Sequence, residues 1–243
     1  MKTTTKIIKS IARIPIVDAI IEKYFKGMRD KFTQKVNKEI AEAYEKYGIE
    51  AIDIFDKCMN SNGFFYTLAF GSILGAIREH GFIKHDKDID VYMWIEDYTP
   101  KIIEELQKVG FVWKTNFSVC SDKCGREDTF EYKGVHIDIF WMYPSIDEYP
   151  YCCDFLRKEG MGVNQRMPRR LEIPIVKESR LEKFETLQLP VPVNAEEICA
   201  FRYGSDYMIP NPSWNWKRAK NSVVDWEEMI PQTVQRNYPT LDK

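Results

Sequence analysis

The sequence lacks several features that would assign it to a specialised class of protein. No uninterrupted apolar run approaches the roughly 18 residues that a membrane-spanning helix requires. No charge of one sign predominates, because 35 Lys and Arg residues face 37 Asp and Glu residues, and the net charge of −2 gives no indication of nucleic-acid binding. With 44% hydrophobic and 30% charged residues, the chain has an ordinary globular composition, which excludes disordered, collagen-like and disulfide-scaffold proteins.

Positive charge is concentrated at the start of the chain. Residues 1–38 hold ten Lys and Arg residues against Asp18, Glu22 and Asp30. The segment has neither the apolar core nor the cleavage site of a secretory signal, so we expect a cytoplasmic protein with reduced cysteines. Aliphatic residues between the charges leave two interpretations open. Residues 1–28 either contact an anionic membrane, at its inner face, or form a solvated helical arm packed on the domain.

Hydrophobic spacing predicts an α+β protein with a mixed central sheet flanked by helices. A helical N-terminal segment (1–60) precedes a catalytic core (61–145) and an irregular, proline-punctuated C-terminal lobe (146–243), and we expect the three to form one compact unit. Helices are predicted over 30–60, from 73, over 101–109 and over 195–203, the last capped by Asn194, and strands over 64–69, 89–94, 111–119, 129–132 and 135–142.

The strongest chemical signal is an acidic pattern that follows a Gly-Ser pair. Asp88 and Asp90 alternate with aliphatic residues, so both side chains lie on one face of a strand. Asp138 repeats this pattern in a later strand and joins them if the two strands are neighbours. Three carboxylates repel one another unless a cation neutralises them, and hard oxygen ligands suit Mg²⁺ or Mn²⁺. Gly71 and Ser72 would begin a helix whose free N–H groups face a phosphate.

Taken singly, each of these features has an ordinary structural explanation. An Asp-x-Asp pair is commonly a solvated strand edge, and Gly-Ser before a helix is commonly a turn and cap. Their order along the chain is more specific: strand, Gly-Ser, helix, Asp-x-Asp strand and a later strand with one acid. This order is similar to the nucleotidyltransferase fold shared with DNA polymerase beta.

Residues 70–78 (FGSILGAIR) and 81–91 (GFIKHDKDIDV) more narrowly resemble the LicD/fukutin family. Residues 202–210 (RYGSDYMIP) resemble a later element of the same family. The resemblance is dense over 63–95 and fair over 130–142 and 184–212. It implies a transferase that moves a phospho-alcohol, such as phosphocholine or ribitol phosphate, from a CDP-activated donor to a surface or capsular glycan, with a divalent metal.

The resemblance carries roles over to individual residues. Asp88 and Asp90 match the family's metal-binding pair, and Asp138 would be a metal ligand or the group that accepts the acceptor's proton. Lys87 and Lys84 stand where the family often has an acid and a proline. Basic residues are predicted to contact the substrate or assist catalysis, each with a structural ion pair, packed side chain or surface charge as the alternative; they are Arg78, Lys84, Lys87, His136 and Arg202.

Other functions stay open at this point. A nucleotidyltransferase that moves an NMP from an NTP to a small molecule or protein is the alternative enzyme, and a glycan- or membrane-binding subunit without catalysis is a third possibility. Zinc at Cys120, Cys124, Cys152 and Cys153 is an alternative to unrelated thiols. An aromatic and basic cluster at Trp214, Trp216, Lys217, Arg218 and Lys220 either packs at the edge of the core or stacks on a base or sugar.

Overall fold

A computed structural model describes residues 15–84, 86–146, 148–156, 165–211, 213–215, 223–224 and 232–235, and the side chains within 34–84, 86–146, 148–156, 166–211 and 213–215. Helices are α1 (Pro15–Asn62), α2 (Phe70–Arg78), α3 (Pro100–Lys108) and α4 (Ala195–Tyr203), with a 3₁₀ turn at Ile95–Asp97. Strands are β1 (Thr67–Leu68), β2 (Asp88–Trp94), β3 (Val112–Val119), β4 (Gly125–Tyr132), β5 (Val135–Met142), β6 (Tyr151–Leu156), β7 (Gln165–Glu172), β8 (Ser179–Phe184), β9 (Leu187–Pro192), β10 (Val223–Val224) and β11 (Gln232–Gln235).

The chain divides into two units, Met1–Glu42 and Ala43–Lys243. In the first unit, exposed ion pairs one helical turn apart join Lys35 to Glu39 and Lys38 to Glu42. Such pairs stabilise a helix weakly, which suits a solvated helical surface. No helix in the described part of the chain is both long enough and apolar enough to span a bilayer.

The second unit is organised around a mixed sheet with strand order β1-β2-β5-β4-β3. β2 and β5 are parallel, with Asp90 opposite Asp138, whereas β4 is antiparallel to both β5 and β3. Strand β11 pairs with the free edge of β3 and with β7, and β7 also pairs with β6 and β10. The sheet and its flanking helices confirm the predicted α+β class.

Hydrophobic periodicity decides which helix faces are buried against the sheet. Ile52, Phe55 and Met59 of α1 recur at intervals of three and four and are fully buried. Phe55 packs edge-on against Tyr66, with ring centroids 5.1 Å apart. The back of the sheet is equally apolar, because alternate residues of the parallel strands, such as Ile89 of β2, have no exposed surface.

The C-terminal lobe contains more regular structure than its prolines indicated. Strands β6 to β9 precede α4, and β8 and β9 form a two-stranded hairpin of their own. The predicted cap was wrong in one respect, since Asn194 occupies the N-cap position but its side chain does not cap α4. Its amide instead donates hydrogen bonds to Pro174 O, at 2.5 Å, and to Glu197 Oε2, at 3.0 Å. Asn194 therefore ties the helix to the preceding segment.

Candidate functional site

Three aspartates converge at the front face of the sheet. Asp88 and Asp90 project from β2, and Asp138 projects from the neighbouring parallel strand β5. One carboxylate oxygen from each lies within 4.8 Å of the other two. Strand alternation explains the arrangement, because Ile89 and Ile139 occupy the opposite, buried face. The sequence prediction that the three acids share one face thus matches their placement.

The turn that begins α2 holds Asp90 in place. The backbone N–H of Asp90 donates a hydrogen bond to Ser72 Oγ at 3.0 Å, and its carbonyl accepts one from Ala69 N at 2.8 Å. Between them, Phe70 adopts a φ of 38°, which turns the chain sharply from β1 into the helix. Ser72, which is buried, therefore fixes the backbone of β2 at the aspartate.

Burial raises the pKa values of all three aspartates, and repulsion within the cluster adds to the rise for Asp90 and Asp138. For Asp90, burial and then the charges of Asp88 and Asp138 raise the pKa well above its usual value. Burial and Asp88 raise the pKa of Asp138 to about 6, although a hydrogen bond from Thr129 and the charge of His136 oppose the shift. The cluster therefore favours any species that brings positive charge to it.

The geometry of Asp138 fits such a species. Its Oδ1 atom is buried and has no hydrogen-bond partner among the described residues. A buried acceptor without a partner is costly, and a directly coordinated cation would remove that cost. Together with Asp88 and Asp90, this atom gives an all-oxygen set of ligands that could hold a metal ion.

The aspartates line one side of a cleft of about 800 Å³. Gly71, in the first turn of α2, lies opposite them, and a Cβ atom at this position would stand only 2.4 Å from Asp86 Oδ2. The close approach explains why glycine occupies the position. Burial and Asp88 raise the pKa of Asp86 to about 6, and Arg78 opposes this shift. Gly71, Arg78 and Asp86 therefore line the cleft together with the three aspartates.

Not every residue predicted to contact substrate lines this cleft. Gly71, Arg78, Lys84 and Arg202 do, whereas Ser72, Lys87 and His136 do not.

The cleft residues differ in what restrains them. Arg78 donates hydrogen bonds to Tyr207 O at 3.1 Å and Glu79 Oε1 at 2.7 Å, which fixes its side chain at the rim. Arg202 is buried, with its guanidinium 4.4 Å from the centre of the Phe70 ring. Lys84 is exposed.

The residues outside the cleft have other neighbours. His136 of β5 is paired with Asp88 of β2 in the parallel register, and its Nε2 is 3.2 Å from Glu131 Oε2. Lys87 is exposed and adjacent to Asp88 in the chain. Burial raises the pKa of the Asp88 carboxyl overall, whereas His136 and, to a smaller extent, Lys87 lower it.

Sequence reasoning missed several acidic residues that line the cleft, among them Asp86, Glu127 and Asp154. Asp86 stands within the acidic motif itself. Glu127 was overlooked because β4 begins at Gly125, four residues before the predicted start, and its charged sequence obscures the alternation. Asp154 lies on β6, in the lobe predicted to be irregular, and accepts a hydrogen bond from Arg169 Nε at 2.9 Å.

The remaining candidate groups show no comparable convergence. All six cysteines are free, and the described side chains contain no group of three or more cysteines close enough to hold zinc. Of the aromatic and basic cluster, Trp214 lines the cleft and packs 4.8 Å from the Tyr203 ring. Trp216, Lys217, Arg218 and Lys220 lie outside the described residues, as do His85 and residues 1–14.

Comparison with known sequences points to one family. The sequence profile described as "LicD/FKTN/FKRP, nucleotidyltransferase domain" matches residues 63–194, which include all three aspartates. The protein named ribitol-5-phosphate transferase FKTN from Macaca fascicularis is 27% identical over 222 residues, and that from Homo sapiens is 26% identical. Each alignment covers 86% of this chain but 46% of the relative, so the chain spans about half the length of the curated relatives it matches.

Proposed function

Because the chain belongs to the LicD/FKTN/FKRP nucleotidyltransferase-domain family, we propose that it transfers a phospho-alcohol from a CDP-activated donor to a glycan acceptor. The resemblance to the LicD/fukutin family predicted from residues 70–91 is confirmed by the profile match. The observation that carries the proposal is the convergence of Asp88, Asp90 and Asp138 within 4.8 Å, beside the first turn of α2. Similarity to ribitol-5-phosphate transferases favours ribitol phosphate as the transferred group.

In this proposal, Asp88, Asp90 and Asp138 hold Mg²⁺ or Mn²⁺. When bound, such an ion supplies positive charge that offsets the negative charge developing on the transferred phosphoryl group. The aspartates fix its position, because β2 and β5 are adjacent in the sheet and Ser72 restrains the backbone of Asp90. The unpartnered Oδ1 of Asp138 supports its assignment to the ligand set.

Other residues would bind and orient the donor. Its diphosphate would lie against the N–H groups at Gly71, where the positive end of the α2 dipole favours an anion. Arg78 and Lys84 would contact phosphate oxygens from the rim, and Arg202 from the floor of the cleft. An acceptor hydroxyl would then attack the phosphorus bonded to the alcohol, and CMP would leave in line with it.

We also propose how the acceptor reaches the site. A lipid-linked glycan at the inner face of the cytoplasmic membrane suits a basic segment at residues 1–28.

The roles of His136 and Lys87 are confined to the margin of the site, where both lower the pKa of Asp88 and so favour its metal-binding, ionised form.

Asp90→Asn tests the proposal most directly. We expect wild-type protein with Mn²⁺ to release CMP from CDP-ribitol, and the variant to lose this activity at least a hundredfold because one charged ligand is gone. Calorimetric titration with Mn²⁺ should show the same loss of binding. The matched control is Asp53→Asn, which removes a partly exposed carboxylate paired with Lys57 on α1.

Three outcomes would contradict the proposal. Turnover by Asp90→Asn at the wild-type rate would remove the metal site from the reaction. Release of pyrophosphate from an NTP, without CMP release from any CDP-alcohol, would favour transfer of an NMP instead. A protein that binds no Mn²⁺ at all would be better described as a glycan-binding subunit.

A further inference from the structure

Glu127 is a carboxylate in the cleft to which the proposed reaction gives no role. It lies on β4, opposite Phe140 of β5, while Thr129, two residues further along β4, lies opposite Asp138. Because side chains alternate along a strand, Glu127 projects to the same face as Asp138 and lines the cleft. It stands on the side of Asp138 away from β2.

The opposite face of β4 fixes this orientation. Arg126 and Asp128 are 3% and 1% exposed, and Arg126 Nε donates to Asp128 Oδ2 at 2.6 Å. The same carboxylate accepts a hydrogen bond from the Trp141 indole of β5 at 2.8 Å. Both neighbours of Glu127 are therefore anchored behind the sheet, so that the side chain of Glu127 stays directed into the cleft.

Glu127 keeps its full capacity to accept hydrogen bonds. No described residue forms an ion pair with its carboxylate or donates a hydrogen bond to it. The nearby acid Asp154 differs, because Arg169 donates to both of its oxygens. The Glu127 carboxylate is partly buried and lines the cleft, so its oxygens can accept hydrogen bonds from hydroxyl groups of a bound ligand.

The surroundings of Glu127 indicate the chemistry of this ligand. A phosphate placed directly against the Glu127 carboxylate would be repelled by it, whereas a hydroxyl group could donate a hydrogen bond to it. The side chains of Phe155 and Leu171 line the cleft together with Glu127 and Asp154. Carboxylates that accept paired hydroxyl hydrogen bonds, beside apolar groups that pack on C–H surfaces, suit an uncharged, polyhydroxylated molecule.

We propose that Glu127 binds hydroxyl groups of a polyol or sugar and thereby selects a polyhydroxylated substrate. The inference rests on the proposed function, which supplies two sources of such hydroxyls: the transferred alcohol of the donor and the sugar of the acceptor. Glu127 acts in either case by accepting hydrogen bonds at its two carboxylate oxygens.

Saturation-transfer NMR on the full chain with diamagnetic Mg²⁺ tests this binding without requiring turnover. The probes are free ribitol, for the transferred alcohol, and methyl β-galactoside, for an acceptor sugar. We expect one of them to receive saturation from wild-type protein, and its apparent affinity to fall about tenfold in Glu127→Ala, as loss of a charged hydrogen-bond acceptor implies. Glu127→Gln keeps one acceptor oxygen and should lose less.

A control variant and the contrary outcomes complete the experiment. Glu105→Gln removes a partly exposed carboxylate of α3 that is paired with Lys108 and does not line the cleft, and this variant should bind the probes as wild type does. Equal binding by wild type and Glu127→Ala, binding of neither probe, or preferential binding of choline would each overturn the inference. Failure of the proposed function is distinguishable, since it would appear as absent CMP release while the probe binding still depended on Glu127.

Discussion

At the residue scale, Asp138 shows that the site is assembled at a cost to stability. Its pKa is about 6 in the folded protein, against 3.8 as the ordinary value for an aspartate, because burial and Asp88 disfavour the charged form. The folded state therefore holds a proton that the unfolded state releases between about pH 4 and pH 6. Over this range, the contribution of Asp138 to stability falls as the pH rises, and the loss is complete above pH 6.

Asp138→Asn should consequently stabilise the metal-free protein at neutral pH while impairing metal binding. We expect a gain of about 1–2 kcal/mol at pH 7, or a melting temperature higher by about 2–8 °C. The gain should vanish below pH 4, where the wild-type carboxyl is protonated in both states. Thermal unfolding with EDTA at pH 4, 5, 6 and 7 measures this dependence.

Added Mn²⁺ reverses the comparison. It should raise the melting temperature of the wild type but have little effect on Asp138→Asn. A ligand that binds only the folded state stabilises that state, and the stabilisation increases with the affinity. A variant that is less stable than the wild type at every pH would show that the carboxylate cluster carries no electrostatic cost.

At the element scale, the link between α2 and β2 sets the precision of the site. Ser72→Ala removes the acceptor that holds Asp90 N and leaves this buried donor unsatisfied. We expect the unfolding free energy to fall by about 1–3 kcal/mol and the Mn²⁺ affinity to fall about tenfold. Urea unfolding and calorimetric titration measure the two effects.

A serine elsewhere in the sheet provides the matched control. Ser118 Oγ on β3 accepts a hydrogen bond from Asp122 N at 2.9 Å, and neither residue lines the cleft. Ser118→Ala should therefore lose stability but keep Mn²⁺ affinity. If Ser72→Ala and Ser118→Ala had the same metal affinity, Ser72 would be a structural residue with no part in positioning Asp90.

The elements that could be predicted from the sequence are those with a strong local signal. Alternation in residues 88–94 and 135–142 predicted the two strands that carry the aspartates, and their common face follows from the period of two. The pairing of the two strands is a long-range contact. The predicted cluster therefore depended on the strands being neighbours, and the local pattern of the sequence does not show this.

The signals that failed were weak or overridden by tertiary contacts. Strand β4 begins at Gly125 rather than Thr129, because its charged residues Arg126 and Asp128 are buried in a paired network that composition does not reveal. Strand β7 accommodates Pro168, which argued against a strand at that position. Asn194 has the right residue type for a cap, yet Pro174 O takes its side-chain donor.

At the scale of the whole molecule, charge is divided between the start of the chain and the rest. Residues 1–28 carry six Lys and Arg residues against Asp18 and Glu22, whereas the site formed by Asp88, Asp90 and Asp138 is strongly acidic. A basic segment attracts anionic lipid with about 1 kcal/mol for each Lys or Arg near the surface. The acidic site instead needs a cation before it can accept an anionic donor. The two regions thus favour partners of opposite kinds.

Deleting residues 1–28 should therefore weaken binding to vesicles of phosphatidylglycerol more than it reduces turnover of a soluble acceptor. A full-length variant with Lys2, Lys6 and Lys9 changed to Gln separates charge from length, and three lost charges predict a decrease in vesicle binding on the order of a hundredfold. Salt should weaken binding of the wild type in the same way, because exposed charges are screened over about 10 Å at 0.1 M salt. Vesicles of zwitterionic phosphatidylcholine, which carry no net charge, provide the control. The wild type and the two altered forms should bind to them equally weakly. Equal binding of all three to the anionic vesicles would exclude an electrostatic membrane contact and leave the segment as a solvated helical arm.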